Sequence, residues 1–335
     1  MPGLRHRPVL VYAALFALLL AVVTAALLLG QARLSDPGLA TMLLELRAIR
    51  IAAAFVAGAA LAMGGVVVQG VFRNPLVSPS ILGTTAGSML GGQVALLLLA
   101  LVRPSLRGLP GLAPEMVVPL GCLVGAGLAL AIVLAFCRER TGTLMLLLTG
   151  FILSSLFLSL GGFATSLSQD SWEVSRAVVA FTLGGVGGVG ARQLAAGVPL
   201  VVAAGAAAWL WGRTLDVMLS GEEEATTLGV DVGQARRWCI AWVAALTAAA
   251  VSIGGNIGFV GLIVPHVMRP LVGVHHRRLL PAAGLAGGIF LVACDVIART
   301  LPSRTELPLG VVTGVLGAPV FLILLARSAR GMSHG

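Results

Sequence analysis

The chain has 335 residues, 58% hydrophobic and 10% charged, with a mean hydropathy of +1.02. Soluble domains carry about a quarter charged residues, so this composition excludes one and predicts an integral membrane protein. All 22 basic residues are arginine and the net charge is +9; without lysine the chain cannot build the phosphate-binding loop G-x-x-x-x-G-K-S/T, so an ATP-driven process would need its motor on another polypeptide.

The N-terminal GLRHRP precedes an apolar run, 9–29, that is longer than a signal-peptide core and lacks a small-x-small cleavage site. It predicts an uncleaved first membrane helix. At about 1.5 Å per residue, about 20 apolar residues cross the hydrocarbon layer. Further spans are predicted at 51–72, 81–102, 117–136, 144–163, 194–211, 280–298 and 308–325. The run 238–272 is too long for one helix and is interrupted by Gly254, Gly255 and Asn256; splitting it there gives two short helices and a total of about ten. No linker, charge block or composition break divides the chain. The expected architecture is therefore all-α and polytopic, a single transmembrane domain over 1–335.

An even helix number puts both termini on one side. Thirteen arginines, among them Arg5, Arg7, Arg73, Arg236, Arg237 and Arg269, fall on the side of the termini, and nine, among them Arg47, Arg50, Arg176, Arg192 and Arg299, on the other. The bias favours cytoplasmic termini. It also places the longest polar interruption, TLDVMLSGEEEATTLGVDVGQARR (214–237), in the cytoplasm. Two short helical patterns flank Leu228, Gly229 and Val230, so this segment is either a surface for a soluble partner or a solvated loop.

Chemistry-bearing residues are few. The 44 glycines, as in Gly121/Gly125 and Gly184/Gly188, have the spacing that lets membrane helices approach closely. Cys122, Cys137, Cys239 and Cys294 show no C-x-x-C spacing and are read as buried apolar side chains. The carboxylates crowd at helix ends, away from the midpoints where ion-coupled carriers place one, with Asp295 the exception and a coupling site its alternative reading. Asp295 lies four residues before Arg299 and predicts a local ion pair. His266, after Pro265, has no second ligand at helical spacing and is read as a packing residue, while His275 and His276, beside Arg277 and Arg278, are read as solvated. No nucleophile, base and orienter assemble, so neither catalysis, a metal site, a bound cofactor nor a nucleic-acid partner is expected.

Two long stretches carry a more specific signal. LRAIRIAAAFVAGAALAMGGVVVQGVFRNPLVSPSILGTTAGSMLGG (46–92) resembles the signature of the FecCD family, permeases that import ferric siderophores, haem and cobalamin. NIGFVGLIVPHVMRPLVGVHHRRLLPAAGLAGGIFLVACDVIARTLPSRTELPLGVVTGVLGAPVFLILL (256–325) is similar to its C-terminal part, and GEEEATTLGV to its cytoplasmic coupling segment. The resemblance implies a type II ATP-binding-cassette importer in the bacterial inner membrane. Two copies of a ten-helix permease, surrounded by lipid, would form a path; two ATPase subunits holding ATP and Mg2+ would dock below, and a periplasmic binding protein above. It implies docking of that binding protein at Arg47, Arg50 and Arg299 on an exposed cationic rim, a cytoplasmic gate at Asn74 and Leu76 with Thr143 on the next hairpin, and ATPase contact at Ala225, Leu228 and Gly229. Two positions depart from the family pattern: its R-x-P-R reads Arg47-Ala48-Ile49-Arg50, and its W-x-x-G tryptophan is Phe181. The implied cargo is an iron complex, haem or a ferric siderophore, with cobalamin the alternative and an ion-coupled carrier the competing class.

Overall fold

The computed structural model describes residues 8–29, 37–102, 114–136, 143–301 and 306–332. Arg5, Arg7 and Cys137 lie outside the described residues. All regular elements described are helical: α1 Pro8–Leu28, α2 Pro37–Val71, α3 Thr84–Val102, α4 Val117–Phe136, α5 Thr143–Leu167, α6 Trp172–Leu183, α7 Ala191–Leu210, α8 Gly212–Leu219, α9 Glu222–Thr227, α10 Val232–Gly254, α11 Val260–Val272, α12 His276–Thr300 and α13 Leu309–Met332, with short 3-10 turns between some of them. Eight of these helices (α1–α5, α7, α10 and α12) are long and apolar enough to cross a membrane, and α11 and 309–323 of α13 are shorter apolar segments. These ten correspond to the ten predicted from the sequence.

The break expected at Gly254–Asn256 is present. Gly255 has φ +65° and Phe259, which precedes α11, has φ +66°, so the chain turns through two left-handed residues and α11 is left with 13 residues. α2 is longer than its apolar run, at 35 residues, because Ala48 and Ile49 occupy the place where a proline would break it. Arg47 and Arg50 consequently sit inside a continuous helix. α6 is absent from the expected spans because its 12 residues are too few to cross. It connects α5 to the glycine-rich 184–190 segment that leads into α7.

α2 forms the axis of the fold, with 78% of its span buried against 17% for α1. Glycine lets its neighbours approach: a Cβ on Gly65 would lie 1.8 Å from the Gly261 carbonyl oxygen of α11, and one on Gly91 in α3 would lie 2.0 Å from that of Gly121 in α4. The polar 214–237 segment is folded. α8, α9 and the first turn of α10 bury Met218, Ala225 and Ala235 against Trp211, Val217, Val230 and Val232. Asp231 caps α10, its Oδ1 accepting the Gln234 N–H at 2.8 Å.

Candidate functional sites at the two ends of the bundle

One end is organised around a buried carboxylate. Asp295 is 1% exposed. Arg50 Nε donates to its Oδ1 and Oδ2 at 2.9 and 3.1 Å, and Arg50 Nη2 lies 2.8 Å from Oδ1. The same guanidinium reaches Glu306 Oε2 at 2.8 Å through Nη1. Arg299 Nε stands 3.5 Å from Asp295 Oδ2, so the expected i,i+4 pair exists, though Arg50 is the nearer partner. Arg299 Nη2 donates to the Ala26 carbonyl and Arg47 Nη1 to the Leu27 carbonyl, each at 2.5 Å. Those carbonyls belong to the last turn of α1, which has no intrahelical donors for them. Among the described residues the cluster thus brings Arg47, Arg50 and Arg299 together with Asp295, Glu306 and the negative end of a helix dipole, which favours positive charge.

This arrangement corrects the expected cationic rim. Arg47 and Arg299 are 7% and 4% exposed, and the Arg50 side chain 18%. Their positive charge is turned inward, onto Asp295 and α1. Only Arg50 borders the cavity of about 890 Å3 that opens beside the cluster, together with exposed Arg176, Gln193, Glu306 and the 184–190 segment. Under it three chain breaks are tied by main-chain bonds: Gly185 N–H to Gly254 O at 2.8 Å, Leu309 N–H to Gly184 O at 2.8 Å, and Asn256 N–H to Phe181 O at 3.4 Å. The Phe181 ring packs on α3 at Gly92, where any Cβ would meet its Cζ at 2.5 Å.

At the opposite end α2 stops in a tight turn. Arg73 takes φ +49°, a sparsely populated conformation for a non-glycine residue. Asn74 N–H donates to Gln69 O at 3.2 Å, and its Oδ1 accepts the Leu76 N–H at 2.9 Å. Asn74 and Leu76 are exposed, Leu76 by 38%. Thr143 opens α5, but its side chain lies outside the described residues, so the two halves of the expected gate are not seen together. Other elements converge on the turn. Arg269 Nη2 donates to Gln69 Oε1 at 2.5 Å, and Glu222 at the start of α9 pairs with Arg236 and stands 4.0 Å from Arg73 Nη2.

Of the expected ATPase contacts, Leu228 is 70% exposed and Gly229, at φ +81°, has open space around it, whereas Ala225 is fully buried. Ala225 anchors α9 from beneath. His275 is exposed, as its charged surroundings suggest, but His276 is 2% exposed and held by Asp216 on α8. Burial pushes the Asp216 carboxyl upward; hydrogen bonds from the His276 ring and backbone N–H, with the charge of both histidines, outweigh it and hold the group below the usual carboxylate value. Among the described residues no group of histidine, cysteine and carboxylate side chains could hold a metal, and Cys122, Cys239 and Cys294 are free and buried.

The family model of the FecCD transport family matches residues 9–327. The chain belongs to the FecCD transport family. Over 288 residues, 86% of this FecCD chain and 74% of its relative, it is 40% identical to the cobalamin import system permease protein BtuC of Halobacterium salinarum. Over 286 residues it is 39% identical to the Fe(3+) dicitrate transport system permease protein FecD of Escherichia coli, covering 85% of each. A solved metal-chelate type ABC transporter in an inward-facing conformation superposes with a TM-score of 0.81 at 33% identity, covering 95% of this chain and 99% of that one.

Asp216, Glu222, His276 and Glu306 were not marked as site residues by sequence reasoning. Each lies close to a polar stretch where charges are common, and only the three-dimensional partner distinguishes it. Asp216 alone left a local trace, as the carboxylate among the apolar residues of α8.

Proposed function

We propose that this FecCD chain is the transmembrane permease of a type II ATP-binding-cassette importer, and that its cargo is an iron complex, haem or a ferric siderophore. The observation that carries the reading is the family match over 9–327 on a fold with a large cavity at one end and a folded α8–α9 projection at the other. The chain lacks lysine and so lacks the phosphate-binding loop; hydrolysis falls to separate ATPase subunits holding ATP and Mg2+. The chain binds no cofactor of its own.

In this reading the Asp295 end faces the periplasm and the α8–α9 end the cytoplasm, with both termini cytoplasmic in the inner membrane. The binding protein docks over the cavity mouth. Arg50 lies at its edge, and Arg47 and Arg299 support it by fixing α1 and Asp295. Leu228 and Gly229 meet the ATPase, supported from below by Ala225. A second copy of the chain completes a homodimer, and Asn74, Leu76 and Thr143 close the path at the cytoplasmic end.

Cobalamin is the second reading, favoured by the 40% identity to a cobalamin import permease. The binding protein that works with this permease separates the two. Its affinity for haem, a panel of ferric chelates and cobalamin, measured by tryptophan quenching, is expected to favour an iron complex by at least about 100-fold, or about 2.7 kcal/mol. Preference for cobalamin would overturn the iron assignment and leave the importer reading in place.

A further inference from the structure

α8 and the first turn of α12 are locked together at a single carboxylate. Asp216 Oδ1 accepts the His276 backbone N–H at 2.8 Å and lies 2.7 Å from its ring Nδ1. The corner is held at further points: Trp209 Nε1–H donates to the Arg277 carbonyl at 3.0 Å, the Arg277 guanidinium lies 5.0 Å over the Trp209 ring, and a Cβ on Gly212 would meet Arg277 Cγ at 2.9 Å. The end of α7, α8 and the start of α12 therefore form one block. With both its backbone and its ring fixed by Asp216, the buried imidazole cannot swing aside.

The free edge of that ring points at α2. A Cβ on Gly70 would lie 2.4 Å from His276 Nε2, so the ring bears on the main chain of α2 with no side chain between them. Three residues further on is the left-handed Arg73, then Asn74, which ties the turn to Leu76. A cavity of about 220 Å3, bounded by Gln69, Arg73, Asn74, Leu219, Arg269 and His276, lies beside the turn and leaves it room to shift. A second polar link, Glu222 to Arg73, is half-exposed and 4.0 Å long, too loose to transmit a displacement.

We propose that His276, held by Asp216, is a positioning residue: its imidazole is the strut through which a movement of α8, the helix leading into α9, reaches the terminal turn of α2 and the segment 74–76. Close-packed interiors transmit strain, and here a rigid ring meets backbone that is already in a sparsely populated conformation. The inference rests on the importer reading above. It adds the connection between the ATPase-facing helices and the gate.

The test uses the full complex, permease with ATPase and binding protein, in proteoliposomes, and reads cargo imported per ATP hydrolysed. His276→Ala and Asp216→Ala are expected to hydrolyse ATP while that ratio falls by at least about fivefold, the lower range of site-to-site coupling. Asp216→Asn, which keeps an acceptor for the His276 N–H groups, is expected to restore it. A fluorophore on Leu76→Cys should report a nucleotide-dependent change in the parent complex that His276→Ala abolishes. A merely structural role would lower the yield or thermal stability of the complex without changing the ratio or the fluorescence response, and that result would overturn the strut. Should the parent complex import nothing, the importer reading fails instead, so the two failures are distinguishable.

Discussion

Replacing Asp295 with alanine removes the centre of the cluster that joins α2, α12 and the end of α1. The carboxylate is 1% exposed and holds Arg50 through hydrogen bonds of 2.9 and 3.1 Å, with Arg299 at 3.5 Å. Without it the described partner left to Arg50 is Glu306, which is half-exposed. Breaking a buried pair from one side leaves an uncompensated charge, so Asp295→Ala should cost about 3 kcal/mol, the low end of the usual range because Glu306 still partners Arg50. Glu306→Ala, a partly solvated pair, should cost no more than about 1 kcal/mol. Unfolding in mixed micelles with increasing SDS, followed by tryptophan fluorescence, measures both. A double-mutant cycle of Asp295→Ala with Arg50→Ala should give a coupling of at least about 1.5 kcal/mol. Equal costs for the two carboxylates, or a coupling near zero, would refute the claim that these arginines are held inward by Asp295.

Gly91→Ala should destabilise the α3–α4 contact by about 1–3 kcal/mol through overpacking against the Gly121 carbonyl, whereas Gly127→Ala, with open space around it, should be neutral or gain up to about 1 kcal/mol of helix propensity; the same micelle unfolding reads both, and equal effects would contradict the close approach. Leu76→Ala should let preloaded cargo leave ATP-free proteoliposomes roughly tenfold faster, equivalent to about 1.4 kcal/mol off the barrier, and liposomes that remain tight would place the gate elsewhere. Because the folded-state pKa of Asp216 is depressed, its contribution is fully present above the ordinary carboxylate value near about 3.9 and is lost as pH falls through the folded value. As pH falls below the ordinary carboxylate value, the wild type should therefore lose thermal stability that Asp216→Asn does not lose, and equal losses would show that this carboxyl is not held by His276.

The helices that cross were legible because apolar length is a one-dimensional property: α4 coincides with its predicted span and the α10–α11 break falls at the predicted glycines. α6 was not, since its 12 residues have neither the length nor the hydropathy of a crossing. The extension of α2 through Arg47 and Arg50 follows from the missing proline, a departure visible in the sequence whose consequence needed the structure. At the sites, the pairing of Asp295 with Arg299 could be read from i,i+4 spacing, but Arg50 and Glu306 lie 245 and 11 residues from Asp295 along the chain, and nothing local links them. The exposure of the arginines was misjudged for the same reason: the carbonyls that draw Arg47 and Arg299 inward belong to α1. His276 and His275 are adjacent in sequence and opposite in environment although both reach Asp216, at 2.7 and 3.5 Å; the His276 ring alone is packed against Gly70 of α2, about 200 residues away.

The most direct measurement is uptake of a radiolabelled ferric chelate into proteoliposomes holding this chain, its ATPase subunit and the cargo-loaded binding protein. The account predicts accumulation that requires ATP, Mg2+, the ATPase subunit and the binding protein together, and that persists when proton and sodium gradients are collapsed. Uptake that proceeds without the ATPase subunit, or that stops when the ion gradients are removed while ATP is present, would contradict it.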